Sequence, residues 1–224
     1  MNTFEAAAVI FAKEIRAEWR TKELLNSTFV FALIIVVLFS FAFDFTASEA
    51  RLFGPGLLWI AFLFGGSLML HPSFGREHAN DTLDALRMAP IEPFAIVLGK
   101  TLANLTFLFL VEIILLPVFS VLYNVSLVAV LGRLLLVLAL GTFGLAVTGT
   151  VFSAIAAQAR LRELLLPLLL FPILAPVVIA SVECTVSLMA EDSALPASWT
   201  EVLVIFDAVF LAATWLLADQ LLEE

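Results

Sequence analysis

Residues 164–182 read LLLPLLLFPILAPVVIASV, and this stretch decides the fold. It carries no charge, and it is close to the length of about 20 residues with which a helix crosses the hydrocarbon of a bilayer. Pro167, Pro172 and Pro176 interrupt it, and each removes a helical hydrogen bond and kinks the backbone. Neighbouring helices can re-satisfy the freed carbonyl groups inside a membrane. The stretch therefore predicts a deformable transmembrane helix with three kink sites.

The composition places the whole chain in the same class. Hydrophobic residues make up 62% of its 224 residues, charged residues make up 14%, and the mean hydropathy is +1.11. These values are typical of a membrane protein with several spans. A formal net charge of -9 argues against nucleic-acid binding, which needs a clustered basic surface. Cys184 is the single cysteine, so neither a disulfide framework nor a paired redox motif is available.

Charge-poor windows predict an all-α protein with one transmembrane domain over residues 1–224. An interfacial helix at 1–23 precedes the first span, and a loop at 72–91 separates the second span from the third. Asp207 and Asp219 interrupt the last window, which makes it the weakest of the six. The predicted spans lie at about 24–45, 52–71, 94–120, 127–157, 163–182 and 201–222.

The distribution of basic residues predicts the orientation. Cytoplasmic loops of membrane proteins carry an excess of Lys and Arg. Under a six-span arrangement, only Arg51 and Arg133 of the 11 basic residues fall on the opposite side from the rest. Both termini are therefore predicted to be cytoplasmic. The basic residues on the cytoplasmic side are Lys13, Arg16, Arg20, Lys22, Arg76, Arg87, Lys100, Arg160 and Arg162.

The first twenty residues predict an amphipathic helix on the membrane surface. Its apolar stripe and its basic face lie roughly opposite each other, a pattern that suits contact with anionic lipid. Two roles stay open: a simple anchor, or a helix that transmits motion from a cytoplasmic partner to the first span. The stripe consists of Phe4, Ala8, Phe11, Ala12, Ile15 and Trp19, and the basic face of Lys13, Arg16 and Arg20.

The loop at 72–91 contains signals for a short helix. Asp81 can cap its start, Leu83 and Leu86 share a face, and Pro90 ends it. Such a helix can dock in a groove of another protein. An ordinary solvated loop helix explains the same signals equally well.

Polar residues inside the third span form a stripe. Lys100, Asn104 and Glu112 follow each other at offsets of 4 and 8, so they fall on one side of the helix and should point away from lipid. Lys100 is expected to extend to the cytoplasmic headgroups. For Glu112, a place on a substrate path and a role in helix packing are both open. In the fourth span, Gly141, Gly144 and Gly149 predict close helix packing.

Two short motifs look like a phosphate-binding loop and a haem site, but their surroundings argue against both. Gly99-Lys100-Thr101 looks like the end of a phosphate-binding loop, but Phe94 stands where such a loop needs its first glycine. The chain is therefore expected to lack an ATPase site of its own. His71 and His78 could suggest a membrane cytochrome, but both lie in one loop and no span carries an opposing histidine. No catalytic residue and no metal site are predicted.

Short motifs in order along nearly the whole chain resemble the CcmB family, the permease subunits of the haem-exporter ABC complex of cytochrome c maturation. The run from Arg162 to Pro172 and Pro55-Gly-Leu-Leu-Trp59 are the more specific of them. The others include Ala89-Pro90, Leu98-Gly-Lys100, Asn104, Glu112, Leu116-Pro117, Gly141-Thr-Phe-Gly144 and Gly149-Thr-Val-Phe-Ser153.

The resemblance implies a six-span permease of the ABC-2-like exporter type in the bacterial inner membrane. It implies a separate ATPase subunit, CcmA, through which alone ATP acts, and membrane partners CcmC and CcmD. It also implies an indirect link to the haem chaperone CcmE, and two permease copies per ATPase pair. Haem would be a possible cargo of the complex, with no cofactor bound covalently. The predicted ATPase-coupling residues are Arg76, Glu77, Asp81, Leu83, Leu86, Arg87, Arg160, Arg162 and Glu163.

Other classes of protein remain as alternatives. The chain could be the permease of another ABC-2 exporter, for a drug or a lipid-linked glycan, or a structural assembly subunit. A haem-binding electron carrier is disfavoured by the missing opposed histidines. Glu163, at the start of the fifth span, also suits a simple capping role at the positive end of a helix.

Overall fold

Six long apolar helices and one amphipathic helix make up the computed structural model, which describes residues 2–71, 73–75, 91–157, 162–190 and 194–223. The six apolar helices, α2 to α7, are each long and apolar enough to cross a membrane, which confirms the prediction of an all-α protein with six spans. The helices are α1 (Thr3–Thr21), α2 (Glu23–Ala42), α3 (Ala47–Leu70), α4 (Pro93–Leu122), α5 (Leu131–Ala157), α6 (Arg162–Met189) and α7 (Ala197–Glu223), with a 3-10 turn at Val128–Val130.

Local chemistry sets the ends of several helices. A reciprocal capping box opens α3, in which the Glu49 carboxylate accepts from the backbone N–H of Thr46 at 2.9 Å. Pro93 begins α4, where its missing N–H costs nothing. The polar turn after α4 contains Asn124 in the left-handed region, at φ 52°, a conformation that asparagine tolerates well.

Helix α6 runs without a break through all three of its prolines. Pro167, Pro172 and Pro176 lie inside the helix, which extends seven residues beyond the predicted end at Val182 and closes at Met189. Helix α6 packs against α3, α5 and α7, which limits how far its backbone can bend. The charged Glu183 therefore does not end the helix, although it ended the apolar window in the sequence.

Helix α5 lies at the centre of the bundle, packed against α3, α4, α6 and α7. Its small residues make this possible, as the glycine spacing predicts. A Cβ atom on Gly141 would overlap the Trp59 ring and the Ser181 hydroxyl, and one on Gly149 would overlap Leu70. Large apolar side chains on the outside of the bundle are exposed instead, as expected of surface that faces lipid. On α7 these include Val204, Ile205, Val209, Trp215 and Leu216.

Candidate functional site

Polar side chains, three of them buried and two partly exposed, meet where the loop at 72–91 leaves α3 and returns to α4. We call this cluster the polar junction, and define it as Glu14, Ser73, Lys100, Asn104 and Thr150. It joins α1, the short helical segment at 73–75, α4 and α5. Four separate parts of the chain are thus held together by side chains of which Lys100, Asn104 and Thr150 are buried.

Lys100 is at the centre of the polar junction. Its Nζ donates to Oε1 of Glu14 at 2.9 Å and to the backbone carbonyl oxygen of Ser73 at 2.6 Å. It also lies 4.9 Å from the centre of the Phe74 ring, within range of a cation-π contact. Lys100 is only 1% exposed, so the expectation that it extends to the headgroups is wrong. The Lys100 ammonium group can stay buried because the Glu14 carboxylate on α1 is its ionic partner.

The ion pair also affects Glu14. Burial alone would raise the pKa of this carboxyl group, but the adjacent Lys100 ammonium, with a smaller effect from Lys13, outweighs burial. The pKa of Glu14 is therefore held below its ordinary value of 4.5. Glu14 stays ionised at neutral pH, which maintains the ion pair.

Asn104 fixes the same loop end to α5. Its Nδ2 donates to Oγ of Ser73 at 3.0 Å and to Oγ1 of Thr150 at 2.9 Å. One turn away, the Ser153 hydroxyl donates to the His71 carbonyl oxygen at 3.2 Å. The start of the loop is therefore held by α4 and α5 together.

Helix α1 packs directly on α4, which the amphipathic stripe did not predict. Ala6, Ala7 and Ile10 are buried, while Phe4 and Trp19 of the predicted stripe are more than half exposed and free to contact lipid. A Cβ atom on Gly99 would lie 2.7 Å from the Ala7 carbonyl oxygen, so a glycine is needed for the two backbones to approach this closely.

Helix α1 also contacts the other end of the loop and the start of the first span. The Thr3 hydroxyl donates to the Glu92 carboxylate at 2.5 Å, just before α4 begins. At the far end of α1, Oε1 of Glu18 accepts from the backbone N–H groups of Leu24 and Leu25 at 2.7 and 3.0 Å. The buried carboxylate of Glu18 thereby satisfies the first turn of α2 and fixes the angle between the two helices.

Glu112 lies deeper in α4 and makes a separate contact. It is 2% exposed, and the Thr142 hydroxyl of α5 lies 2.7 Å from both of its carboxylate oxygens. Like Lys100 and Asn104, it points away from lipid. This contact ties α4 to α5, and the choice between a packing role and a substrate path stays open.

The predicted coupling residues are only partly described. Arg162 and Glu163 lie in the first turn of α6. The others fall outside the described residues, so the coupling helix stays a prediction: these are Arg76, Glu77, Asp81, Leu83, Leu86, Arg87 and Arg160.

Sequence reasoning missed Glu14, Ser73, Thr150 and Asp207. A signal existed for Glu14, because a lysine within a span requires an acidic partner, and Glu14 is an acid on the adjacent surface helix. In the sequence, Asp207 is apparent only as a charge that interrupts the last apolar window. The structure instead places it in a continuous helix, with its carboxyl group turned inward against α5.

The fold and the polar junction define a polytopic α-helical membrane protein whose surface helix is tied to its spans. The family model for the CcmB protein matches residues 5–219, and the chain belongs to this family. The resemblance found in the sequence is therefore confirmed.

Curated relatives agree with this family. The chain is 29% identical over 191 residues to the heme exporter protein B of Pseudomonas aeruginosa, covering 85% of the chain and 84% of that relative. It is 31% identical to the heme exporter protein B of Bradyrhizobium diazoefficiens, over 68% of each chain. The protein of the same name from Rhodobacter capsulatus is 33% identical, over 68% of the chain and 70% of the relative.

Proposed function

We propose that this chain is the transmembrane permease subunit of an ABC-type complex for haem export and haem-chaperone release in cytochrome c maturation. The observation that carries the proposal is the family match over residues 5–219, on a chain with six apolar spans. The names of the relatives support haem as the cargo of the complex. The subunit itself is not an enzyme, and a separate ATPase subunit, CcmA, supplies ATP hydrolysis.

The proposal extends to the setting of the complex. The chain lies in the bacterial inner membrane with both termini in the cytoplasm, supported by the nine basic residues on one side of the six-span arrangement. Two copies pair with two ATPase subunits, alongside CcmC and CcmD. Release of the loaded chaperone CcmE follows from ATP hydrolysis in this scheme.

The polar junction offers a route by which ATPase movement reaches the spans. Helix α1 is linked to both ends of the loop at 72–91. At the start, Glu14 accepts from the Lys100 ammonium group, which also donates to the Ser73 carbonyl oxygen, and at the end the Thr3 hydroxyl donates to Glu92. A force on the loop therefore acts on α1, α4 and α5 together. This supports the second of the two roles considered for α1, that of a helix which transmits motion.

A first test concerns the loop helix. Replacing Leu83 and Leu86 by Asp should release the ATPase subunit, because charges placed in an apolar groove lose their hydration without gaining a partner. We expect at least tenfold less ATPase co-purified with the tagged permease, and a matching loss of c-type cytochromes. Ser126→Asp, at an exposed position in the polar turn between α4 and α5, is the control and should change neither quantity. Full ATPase retention in the leucine variant would contradict the coupling assignment.

A second test concerns the prolines of α6. Pro172 and Pro176 face outward, so replacing them by Ala removes little packing and acts mainly by restoring helical hydrogen bonds. We expect normal ATPase binding but several-fold less c-type cytochrome, since a stiffer α6 would uncouple hydrolysis from chaperone release. Leu169→Ala, also at an exposed site on α6, is the matched control. Unchanged cytochrome yield in the double proline variant would show that the kinks do not serve the cycle.

A further inference from the structure

Asp207 is a buried carboxyl group that lies outside the polar junction. It is 6% exposed, and neither of its oxygen atoms has a hydrogen-bond partner among the described residues. It lies ten residues from the start of α7 at Ala197, which is about 15 Å along the helix and therefore near the middle of the span. A polar group at this depth has no lipid headgroup within reach.

The carboxyl group lies against a row of small residues on α5. A Cβ atom on Gly144 would be 2.8 Å from Oδ1 of Asp207. One turn earlier, a Cβ atom on Gly141 would be 2.5 Å from the Ser181 hydroxyl, and one turn later comes Thr148. Both hydroxyl oxygens are buried and also lack a partner among the described residues. We call Asp207, Ser181 and Thr148, with the two glycines, the polar seam.

Among the side chains that the structure describes, no cation pairs with Asp207. An ionised carboxylate without a counter-charge is strongly disfavoured in a low-dielectric interior, whereas a neutral carboxylic acid costs only as much as other polar groups. Ca²⁺ and Mg²⁺ take six or more oxygen ligands, whereas the side chains of the seam offer four oxygen atoms. The ionisable groups on the surrounding helices are Arg133 on α5, Arg162, Glu163, Glu183 and Cys184 on α6, Glu201, Asp219 and Glu223 on α7, and Lys100 and Glu112 on α4, where Glu14 contacts Lys100 and Thr142 contacts Glu112.

We propose that Asp207 is a proton-binding site within the span bundle, holding a neutral carboxylic acid in the polar seam between α5, α6 and α7. The proton comes from water, converting the carboxylate to the acid. The neutral group lets α7 pack on α5 without a counter-ion. This proposal does not depend on the cargo of the complex.

Infrared spectroscopy of the full chain in lipid tests the proposal directly. At pH 7 we expect a carbonyl stretching band of a protonated carboxylic acid, equivalent to one carboxyl group per chain, that Asp207→Asn removes. Because Glu112 is also buried, the comparison is made in a Glu112→Gln background, with the double variant as the blank. A band that persists in the double variant, or that is absent before Asp207 is replaced, would overturn the proposal.

A second measurement needs no substitution and guards against a variant that fails to fold. In the wild-type chain, aspartate labelled with ¹³C at its side-chain carboxyl should shift a component of the band equivalent to one carboxyl group. Labelled glutamate can shift only a contribution from Glu112 and should leave that component in place. Thermal unfolding is then followed in Na⁺ and in Mg²⁺. A melting temperature that either cation raises in the wild-type chain, but not in Asp207→Asn, would show a cation site in place of a proton site.

Discussion

Replacing Glu14 by Leu should lower the free energy of unfolding by on the order of 3 kcal/mol, because Lys100 would stay buried without the carboxylate that faces it. Lys100 is 1% exposed and its Nζ lies 2.9 Å from Oε1 of Glu14. Lys100→Met should cost less, since it removes the charge itself and leaves Glu14, which is 22% exposed, able to hydrate. The double variant should therefore be more stable than Glu14→Leu alone. Thermal unfolding in detergent measures all three.

Lys13 provides the matched control for the variants at Glu14 and Lys100. It pairs with the same Oε1 atom at 3.2 Å, but its side chain is 49% exposed, and ion pairs at the surface contribute about 0–1 kcal/mol. Lys13→Ala should thus leave the melting temperature almost unchanged. If Lys13→Ala lowered the melting temperature as much as Glu14→Leu does, the buried pair of Glu14 and Lys100 would contribute no more than the surface pair.

The same ion pair sets a direction for the effect of pH. The pKa of Glu14 in the folded protein is depressed below 4.5, so the folded state holds this proton less tightly than the unfolded chain. Its stabilising contribution is complete above about pH 4.5 and is lost as the pH falls through the lower folded value. Between pH 6 and 8 the stability difference between wild type and Glu14→Leu should stay constant.

Introducing Leu at Gly141 should have the second large effect, a destabilisation of about 3 kcal/mol, at the upper end of the range for overpacked interiors. Trp59 fills the space over Gly141, is fully buried, and donates from Nε1 to the Thr185 hydroxyl at 3.0 Å. A larger side chain at 141 must displace this ring and break the contact between α3 and α6. The melting temperature of the purified protein in detergent reports the loss.

A compensating variant separates steric overlap from other causes. Trp59→Leu removes the ring that a side chain at 141 would strike, so Gly141→Leu combined with Trp59→Leu should cost less than the sum of the two single changes. Gly56→Leu, at a position on α3 where a Cβ atom meets nothing within 4 Å, should be tolerated. Strictly additive effects would show that Trp59 is not the obstacle.

Much of the fold follows from the hydropathy pattern because each span is long and predominantly apolar. Because apolar residues lie on all sides of most spans, the pattern does not show which face of a helix packs against its neighbours. Lys100, Asn104 and Glu112 pointed inward as their spacing predicted, yet the sequence could not show that their partners would come from α1, the 73–75 segment and α5. These partners are distant in sequence, and only the packing of the bundle selects them. The end of α6 was misjudged for a related reason, since Glu183 marks a change in polarity and not the end of the helix.

The docking of α1 on α4 has a consequence for how the protein is made. Glu14 and Lys100 are 86 residues apart, so a ribosome completes α1 long before α4 exists. Until α4 is inserted, Ala6, Ala7 and Ile10 lack the surface that buries them, and Lys100 reaches the bilayer as a charge that needs a counterpart. The buried face of α1 can therefore complete its packing only after the third span is in place, so the N-terminal helix, although made first, reaches its final position after α4.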